Sequence, residues 1–329
     1  MSVHPCAILA DKNGYAWSFA QKVHANLAER NGGFDLVLIE YQRFRDGEEK
    51  PRILENVRKK NCYFIHDSSL DPSLWRTRMK DVNYAIRYSS AQSVIDVLPY
   101  FKYARQDCKD ESRVPITAKV VAKEISVDAD AALILDLHNR AIQGFFDIPT
   151  DTLYSFPVVI NFLRERYPGL LERVVIMSPD TGGAKRAESF AKRAGGNELV
   201  ICYKSRPLAG EVGKLIILGD VAGGDLRDRD VFLIDDMIDS GGTFSAAAKA
   251  SRDAGAAHVY GYATFGLFTK GVRTVSEPFD KLFIGDILPL PLVKGEEPPL
   301  NVEMVDFASL FAEAIYCTSE GKSLTQLLS

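Results

Sequence analysis

Val231-Phe-Leu-Ile-Asp235-Asp236-Met-Ile-Asp239-Ser240-Gly241-Gly242-Thr243 combines an apolar run, an acidic pair and a loop of small residues, and a helical pattern follows over residues 244–254. This order is typical of a strand–loop–helix unit in an α/β protein, in which ligands gather at the carboxyl ends of the strands. Glycines let the backbone approach a ligand, hydroxyls can donate to phosphate oxygens, and the helix N-terminus offers N–H groups. The loop therefore predicts a monophosphate site.

The acidic pair Asp235 and Asp236 precedes this loop. Carboxylates repel a phosphate, but they can accept hydrogen bonds from sugar hydroxyls or hold magnesium. A lone Asp-Asp pair is more often a solvated turn, whereas the apolar run before it and the Ser-Gly-Gly-Thr after it favour a functional interpretation. One loop could thus recognise both ends of a sugar phosphate.

Short apolar runs alternate with amphipathic segments along the whole chain. They predict strands over residues 6–9, 36–39, 63–66, 94–98 and 132–135, and again over 174–177, 199–203, 231–234, 259–264 and 281–284. This rhythm predicts an α/β fold with two mainly parallel sheets flanked by helices. We place the domains at residues 1–156 and 157–306, because residues 147–157 carry two prolines, and we expect the tail 307–329 to join the first domain.

Composition excludes several classes of protein. A net charge of −4 over 329 residues argues against a general nucleic-acid binder. No apolar run approaches the ~20 residues that span a membrane, and no targeting pattern opens the chain, so we expect a cytoplasmic protein without a membrane partner. The five cysteines are scattered and the histidines are unpaired, so a bound metal would rely mainly on oxygen ligands.

Three further segments carry candidate chemistry. Asp180-Thr181-Gly182-Gly183 lies between a strand and a helix and predicts a second anion site, since helix capping by Asp180 alone would not require two glycines. Lys204-Ser-Arg206-Pro ends a strand and opens a segment to residue 217 with the composition of a lid. His138 follows the strand at 132–135, where a lone histidine is more often a packing residue.

Several blocks together resemble the ribose-phosphate diphosphokinase family, in the family's order. They are the phosphate loop above, Tyr103-Ala-Arg105-Gln106-Asp107, Ser112-Arg-Val-Pro-Ile-Thr-Ala-Lys119, Asp136-Leu-His138, Ile142-Gln-Gly-Phe-Phe-Asp-Ile-Pro149 and Ser178-Pro-Asp180-Thr-Gly-Gly183. The resemblance runs from about residue 44 to the C-terminus. It implies two phosphoribosyltransferase-like domains with the active site between them, adenine bound partly by a neighbouring subunit, and a homo-oligomer, either a dimer or a hexamer.

The resemblance also implies a reaction: the diphosphoryl group of ATP moves to the 1-hydroxyl of ribose 5-phosphate, with Mg²⁺ as cofactor. It implies catalytic cations at Lys204 and Arg206, and magnesium ligands at His138 and Asp180. The ATP contacts it implies are Phe44, Asp46, Glu48, Arg105, Gln106 and Asp107. The diphosphate would lie at Asp180, Thr181, Gly182 and Gly183, and ribose 5-phosphate at Asp235, Asp236, Asp239, Ser240, Gly241, Gly242 and Thr243.

Departures from the family pattern leave alternatives open. Ser205 replaces an arginine between the two catalytic cations, and His66-Asp67-Ser68 replaces a Gln-Ser-Thr type strand end, so the chain is a divergent member. Residues 56–58 and 323–325 only loosely resemble the family's regulatory residues, which leaves activation by phosphate open. A catalytically silent, synthetase-associated subunit is the second hypothesis, although such proteins tend to lose the ligands present here. A phosphoribosyltransferase is the third, and it does not explain residues 44–48 or 105–107.

Overall fold

The computed structural model describes residues 5–30, 33–204, 215–221, 224–325 and 327. The chain divides into two compact units, Met1–Tyr154 with Phe307–Ser329, and Ser155–Asp306. The division lies between Tyr154 and Ser155, two residues before the boundary that the sequence predicts after residue 156. Each unit is built on its own seven-stranded sheet.

The first unit alternates strands and helices in chain order. Its elements are β1 (Cys6–Asp11), α1 (Tyr15–Ala28), β2 (Phe34–Arg43), β3 (Glu49–Ile53), β4 (Asn61–Ile65), α2 (Pro72–Tyr88), β5 (Ser93–Leu98), α3 (Thr117–Asp128), β6 (Ala131–Leu135), a 3₁₀ helix (Arg140–Phe145), β7 (Thr150–Leu153) and the C-terminal α9 (Ala308–Ser319). The strand order is β3-β2-β1-β4-β5-β6-β7, parallel except for β3, which is antiparallel to β2.

The second unit repeats this plan. Its elements are α4 (Phe156–Arg166), α5 (Leu170–Arg173), β8 (Val174–Ser178), α6 (Ala184–Ala194), β9 (Leu199–Lys204), β10 (Leu215–Gly219), β11 (Asp230–Ile238), α7 (Gly242–Asp253), β12 (His258–Gly266), α8 (Val272–Ser276), β13 (Lys281–Gly285) and β14 (Val302–Val305). The order β10-β9-β8-β11-β12-β13-β14 is that of the first sheet shifted by seven strands, and here β10 is the antiparallel strand. The predicted fold class is confirmed.

Every predicted strand overlaps an observed one, and the strands that the patterns missed are β3, β7, β10 and β14. All four lie at sheet edges. Central parallel strands are buried on both faces and appear as continuous apolar runs, whereas an edge strand needs no such run. Residues 215–217, which we assigned to the end of a lid loop, belong to strand β10.

Capping residues and apolar spacing in the sequence explain where α2 begins and which of its faces is buried. Asp71 precedes its first residue and accepts a hydrogen bond from Ser73 N at 2.9 Å, and Pro72 occupies the first turn, where a missing N–H is harmless. Trp75, Met79 and Val82 recur at helical spacing and are buried against the sheet. The helix is therefore held firmly against the sheet.

The C-terminal helix α9 packs in the first unit, against α1. The rings of Phe19 and Phe311 meet edge to face with centroids 5.4 Å apart, and both side chains are buried. The hydroxyls of Tyr63 and Thr318 lie 3.0 Å apart. Apolar burial thus returns the end of the chain to the unit in which it began.

Candidate active site

The acidic pair lies inside a strand rather than after one. β11 continues to Ile238, so the prediction that the strand ends at Ile234 was wrong. β11 pairs with β8 only as far as Leu233 opposite Met177, but it pairs with β12 up to Ile238. Because β8 is shorter, Asp235 and Asp236 lie beyond its end, beside the loop that follows it.

Arg186 contacts both carboxylates of the pair. It projects from the first turn of α6, and its Nη1 lies 3.0 Å from Asp235 Oδ1 and 3.1 Å from Asp236 Oδ1. Asp236 is buried, and Asp235 keeps 22 % of its side chain exposed. Arg186 carries no predicted role. An arginine one turn after a glycine pair was a usable signal, but nothing local indicated that it would reach β11.

Asp235 has an unusual proton affinity. Burial, followed by repulsion from Asp236, raises its pKa to about 7, although Arg186 opposes the shift. The backbone N–H of Asp236 also donates to Asp235 Oδ1 at 2.8 Å. A carboxyl group whose pKa is raised by burial and by a like charge is a common feature of functional sites.

The predicted phosphate loop requires glycine at one of its positions. Gly241 adopts φ +72°, and a Cβ there would overlap Val275, so glycine is required. Asp239 is anchored from outside the loop, because Thr269 Oγ1 donates to its Oδ1 at 2.8 Å. α7 begins at Gly242, and the first N–H groups of an α-helix lack partners within the helix. Thr243 is exposed in that first turn.

The second glycine loop lies beside the acidic pair. Ser178 Oγ donates to the carbonyl of Asp180 at 2.6 Å, and Gly183 N donates to Asp180 Oδ1 at 3.0 Å. A Cβ on Gly183 would lie 2.9 Å from Ser178 Oγ and 3.9 Å from Asp235 Oδ1. Gly183 therefore adjoins Asp235, and the exposed residues Asp180, Thr181 and Gly182 directly precede it in the chain.

The structure describes the backbone of only one of the two predicted catalytic cations. Lys204 is the last residue of β9, and the pairing of β9 with β8 ends at Ile201. The backbone of Lys204 therefore lies at the carboxyl ends of the parallel strands, as the acidic pair does. Arg206 lies outside the described residues.

In the first unit, the predicted adenine contacts occupy the tight turn between β2 and β3. Phe44 N donates to the carbonyl of Glu48 at 2.8 Å, and Gly47 adopts φ +97°. Asp46 Oδ1 accepts a hydrogen bond from Glu48 N at 3.2 Å. The Phe44 ring is 42 % exposed, with Lys50 Nζ 5.6 Å from its centroid. The turn presents an aromatic face and two carboxylates to its surroundings.

The remaining predicted nucleotide contacts meet at the ends of β5 and β6, which are neighbours in the sheet. Asn139 Nδ2 donates to Asp107 Oδ2 at 2.7 Å, which ties the segment after β5 to the residue after His138. Gln106 is anchored to α3, since Thr117 Oγ1 donates to its Oε1 at 2.6 Å. Arg105 and His138 are exposed beside them. Asn139 was not among the predicted site residues, although it directly follows a motif residue.

The proposed magnesium ligands belong to different units, His138 to the first and Asp180 to the second. Within the described part of the chain, no group of three or more His, Cys, Asp or Glu side chains could hold a metal ion. The exposed carboxylate of Asp180 nevertheless fits Mg²⁺, which takes few protein ligands and binds through substrate phosphates and water. Among the described helices, none has the length and apolar character needed to cross a membrane.

Comparison with known proteins identifies the family. Residues 14–128 match the N-terminal domain of ribose phosphate pyrophosphokinase, and residues 206–329 match the phosphoribosyl synthetase-associated domain. The ribose-phosphate pyrophosphokinase of Hyphomonas neptunium is 37% identical over 296 residues, which cover 89% of this chain and 92% of that one. The chain belongs to the ribose-phosphate pyrophosphokinase family. The enzyme of Rhizobium meliloti is 40% identical over 290 residues, covering 87% and 90% of the two chains.

A solved member of the ribose-phosphate pyrophosphokinase family has the same architecture. The crystal structure of phosphoribosylpyrophosphate synthetase from Mycobacterium smegmatis superposes with a TM-score of 0.81 at 26% identity and covers 96% of this chain and 99% of that one. The predicted family is confirmed, and with it the prediction that the chain is an enzyme. The match over residues 14–128 covers the part of the chain that a phosphoribosyltransferase would not explain.

Proposed function

We propose that this chain transfers the diphosphoryl group of ATP to the 1-hydroxyl of ribose 5-phosphate, forming 5-phosphoribosyl 1-diphosphate and AMP. The observation that carries the proposal is the arrangement at the carboxyl edge of the second sheet. There Gly183 of the glycine loop lies beside Asp235 of the acidic pair, and the phosphate loop follows that pair along the chain and leads into α7. Such an edge suits a sugar phosphate that also carries an acceptor hydroxyl.

Each loop has a role in this scheme. N–H and hydroxyl groups of Asp239, Ser240, Gly241, Gly242 and Thr243 bind the 5-phosphate. Asp235 and Asp236 accept hydrogen bonds from ribose hydroxyls, and Arg186 holds both carboxylates toward the sugar. Residues 180–183 receive the diphosphate that is being transferred.

The nucleotide is bound by the first unit. Arg105, Gln106 and Asp107 contact ATP, and the turn with Phe44, Asp46 and Glu48 recognises adenine. His138 and Asp180 would hold Mg²⁺, which neutralises phosphate charge when bound. We further propose that the chain forms a homo-oligomer, either a dimer or a hexamer, because an exposed turn of this kind can serve a neighbouring subunit. We also propose that it acts in the cytoplasm.

The chemistry is an in-line displacement. The 1-hydroxyl oxygen forms a bond to the β-phosphorus, the bond from that phosphorus to the α,β-bridging oxygen breaks, and AMP leaves with the electron pair. The hydroxyl proton passes to solvent or to a carboxylate of the acidic pair. Lys204 and Arg206 stabilise the charge on the transferring group, so positioning and electrostatics supply most of the rate enhancement.

The test measures AMP and 5-phosphoribosyl 1-diphosphate formed from ATP, ribose 5-phosphate and Mg²⁺, with and without inorganic phosphate. Lys204→Ala should abolish turnover, whereas Lys249→Ala, on the exposed side of α7, should preserve it. The response to phosphate decides whether the chain is activated by it. No turnover under any condition would favour the catalytically silent subunit instead.

A further inference from the structure

The turn that carries Phe44, Asp46 and Glu48 stands away from the helix behind it. A cleft of about 630 Å³ separates the β2–β3 hairpin from α2, and Gly47 and Glu48 line it on the hairpin side. Position matters for such a turn, because a base contact displaced by about 1 Å loses much of its value. The contacts at the base of the hairpin therefore decide how well the turn is held.

Arg78 of α2 reaches across this cleft and contacts both strands of the hairpin. Its Nε and Nη2 donate to the two carboxylate oxygens of Glu49 at 2.7 and 3.1 Å. Its guanidinium carbon lies 3.8 Å from the centroid of the Tyr41 ring. Glu49 directly follows Glu48, and Tyr41 lies on β2 three residues before Phe44, so both contacts are close to the turn.

Arg78 also ties the hairpin to the centre of the sheet. Its Nη1 donates to Asp11 Oδ2 at 2.7 Å, and Asp11 is the buried last residue of β1. The Arg78 side chain is only 15 % exposed, and its bond holds the pKa of Glu49 below its ordinary value. Charge-assisted bonds screened from water are stronger than surface ion pairs, and the planar fork fixes direction as well as distance.

We infer that Arg78 is a positioning residue for nucleotide recognition: by clamping Glu49 and Tyr41 to α2 and β1, it sets where Phe44, Asp46 and Glu48 meet adenine. The inference rests on the proposed function, in which this turn contacts the base. Arg78 does not touch the substrate and acts through the hairpin. Its loss should weaken the use of ATP and leave the handling of ribose 5-phosphate and the chemical step intact.

The decisive variant is Arg78→Met, which keeps an unbranched apolar stem and removes the guanidinium group with all three of its contacts. We expect the KM for ATP to rise roughly tenfold, while kcat and the KM for ribose 5-phosphate stay within about twofold. The preference for ATP over inosine triphosphate should also fall. Inosine triphosphate lacks the amino group from which the carboxylates of Asp46 and Glu48 would accept hydrogen bonds. Arg78→Lys should give a KM for ATP between those of the wild type and Arg78→Met. Lysine keeps the positive charge, but it cannot bind a carboxylate bidentately and stacks less well on an aromatic ring.

Arg76 provides the matched control. It lies on the same helix and is also paired bidentately with a carboxylate, with Nη2 2.7 Å from Glu124 Oε1, but that partner is on α3. Arg76→Met should leave the KM for ATP and the base preference unchanged. An equal shift in Arg76→Met and Arg78→Met would overturn the inference, because loss of an ion pair on α2 would then explain both.

A third variant separates this inference from the function on which it rests. Glu48→Ala should raise the KM for ATP and lower the base preference if the turn reads adenine. If Glu48→Ala has this effect and Arg78→Met does not, the positioning role is wrong. If neither variant changes base preference while the wild-type enzyme forms product, the adenine assignment fails and the inference falls with it.

Discussion

Replacing Asp235 by asparagine tests how strongly the acidic pair destabilises the ligand-free enzyme. Burial and repulsion from Asp236 raise the pKa of Asp235 from 3.8 to about 7. A difference of that size corresponds to at most about 4 kcal/mol between the charged and neutral forms. Because the side chain is 22 % exposed and its pKa depends on the charge of Asp236, we expect about 2 kcal/mol of the difference to appear as stability.

The sign of the effect depends on pH. A carboxyl group whose pKa is raised by folding contributes stability that is fully present below pH 4 and is lost as the pH rises through 7. Asparagine keeps the oxygen that accepts from Asp236 N but carries no charge. Asp235→Asn should therefore melt about 4–8 °C above the wild type at pH 8 and close to it at pH 4.5.

The assay must report on the second unit. Trp17 and Trp75 both belong to the first unit, so tryptophan fluorescence would miss the change, and calorimetry of the ligand-free protein is the suitable measurement. Glu165→Gln, on the exposed face of α4, controls for the loss of one negative charge. A variant that melts at or below the wild type at pH 8, or that gains equally at both pH values, would refute the electrostatic reasoning.

Two other predictions rest on named contacts, and a third rests on the proposed metal cofactor. Gly241→Ala should weaken binding of ribose 5-phosphate and lower stability by about 2–4 kcal/mol, since it combines φ +72° with overlap on Val275; calorimetric titration and melting measure both. Asp96→Ala should lower the free energy of unfolding by about 3 kcal/mol, because buried His66 and Asn83 lose their shared partner; urea titration measures the loss. Chelation of divalent metal should abolish turnover and leave the circular dichroism spectrum unchanged, and a lost spectrum would indicate a structural metal instead.

The sequence determined the local backbone of the site. A glycine pair after an apolar run predicts a tight turn and a helix N-terminus, and the structure places α7 directly after Gly241. The central strands were also predictable, because burial on both faces leaves a continuous apolar run. These features depend on neighbours in the chain and on one residue type at a time.

Tertiary structure decided which charges meet. Arg186 and Asp235 are 49 residues apart, and their contact arises because β8 ends early enough for α6 to face β11. Arg78 reaches Asp11 across 67 residues of sequence. A raised pKa likewise depends on burial and on distant neighbours, neither of which a linear pattern records. Loop conformation could be predicted from sequence because it is encoded locally, whereas the electrostatics of the site emerged only when the sheet brought remote side chains together.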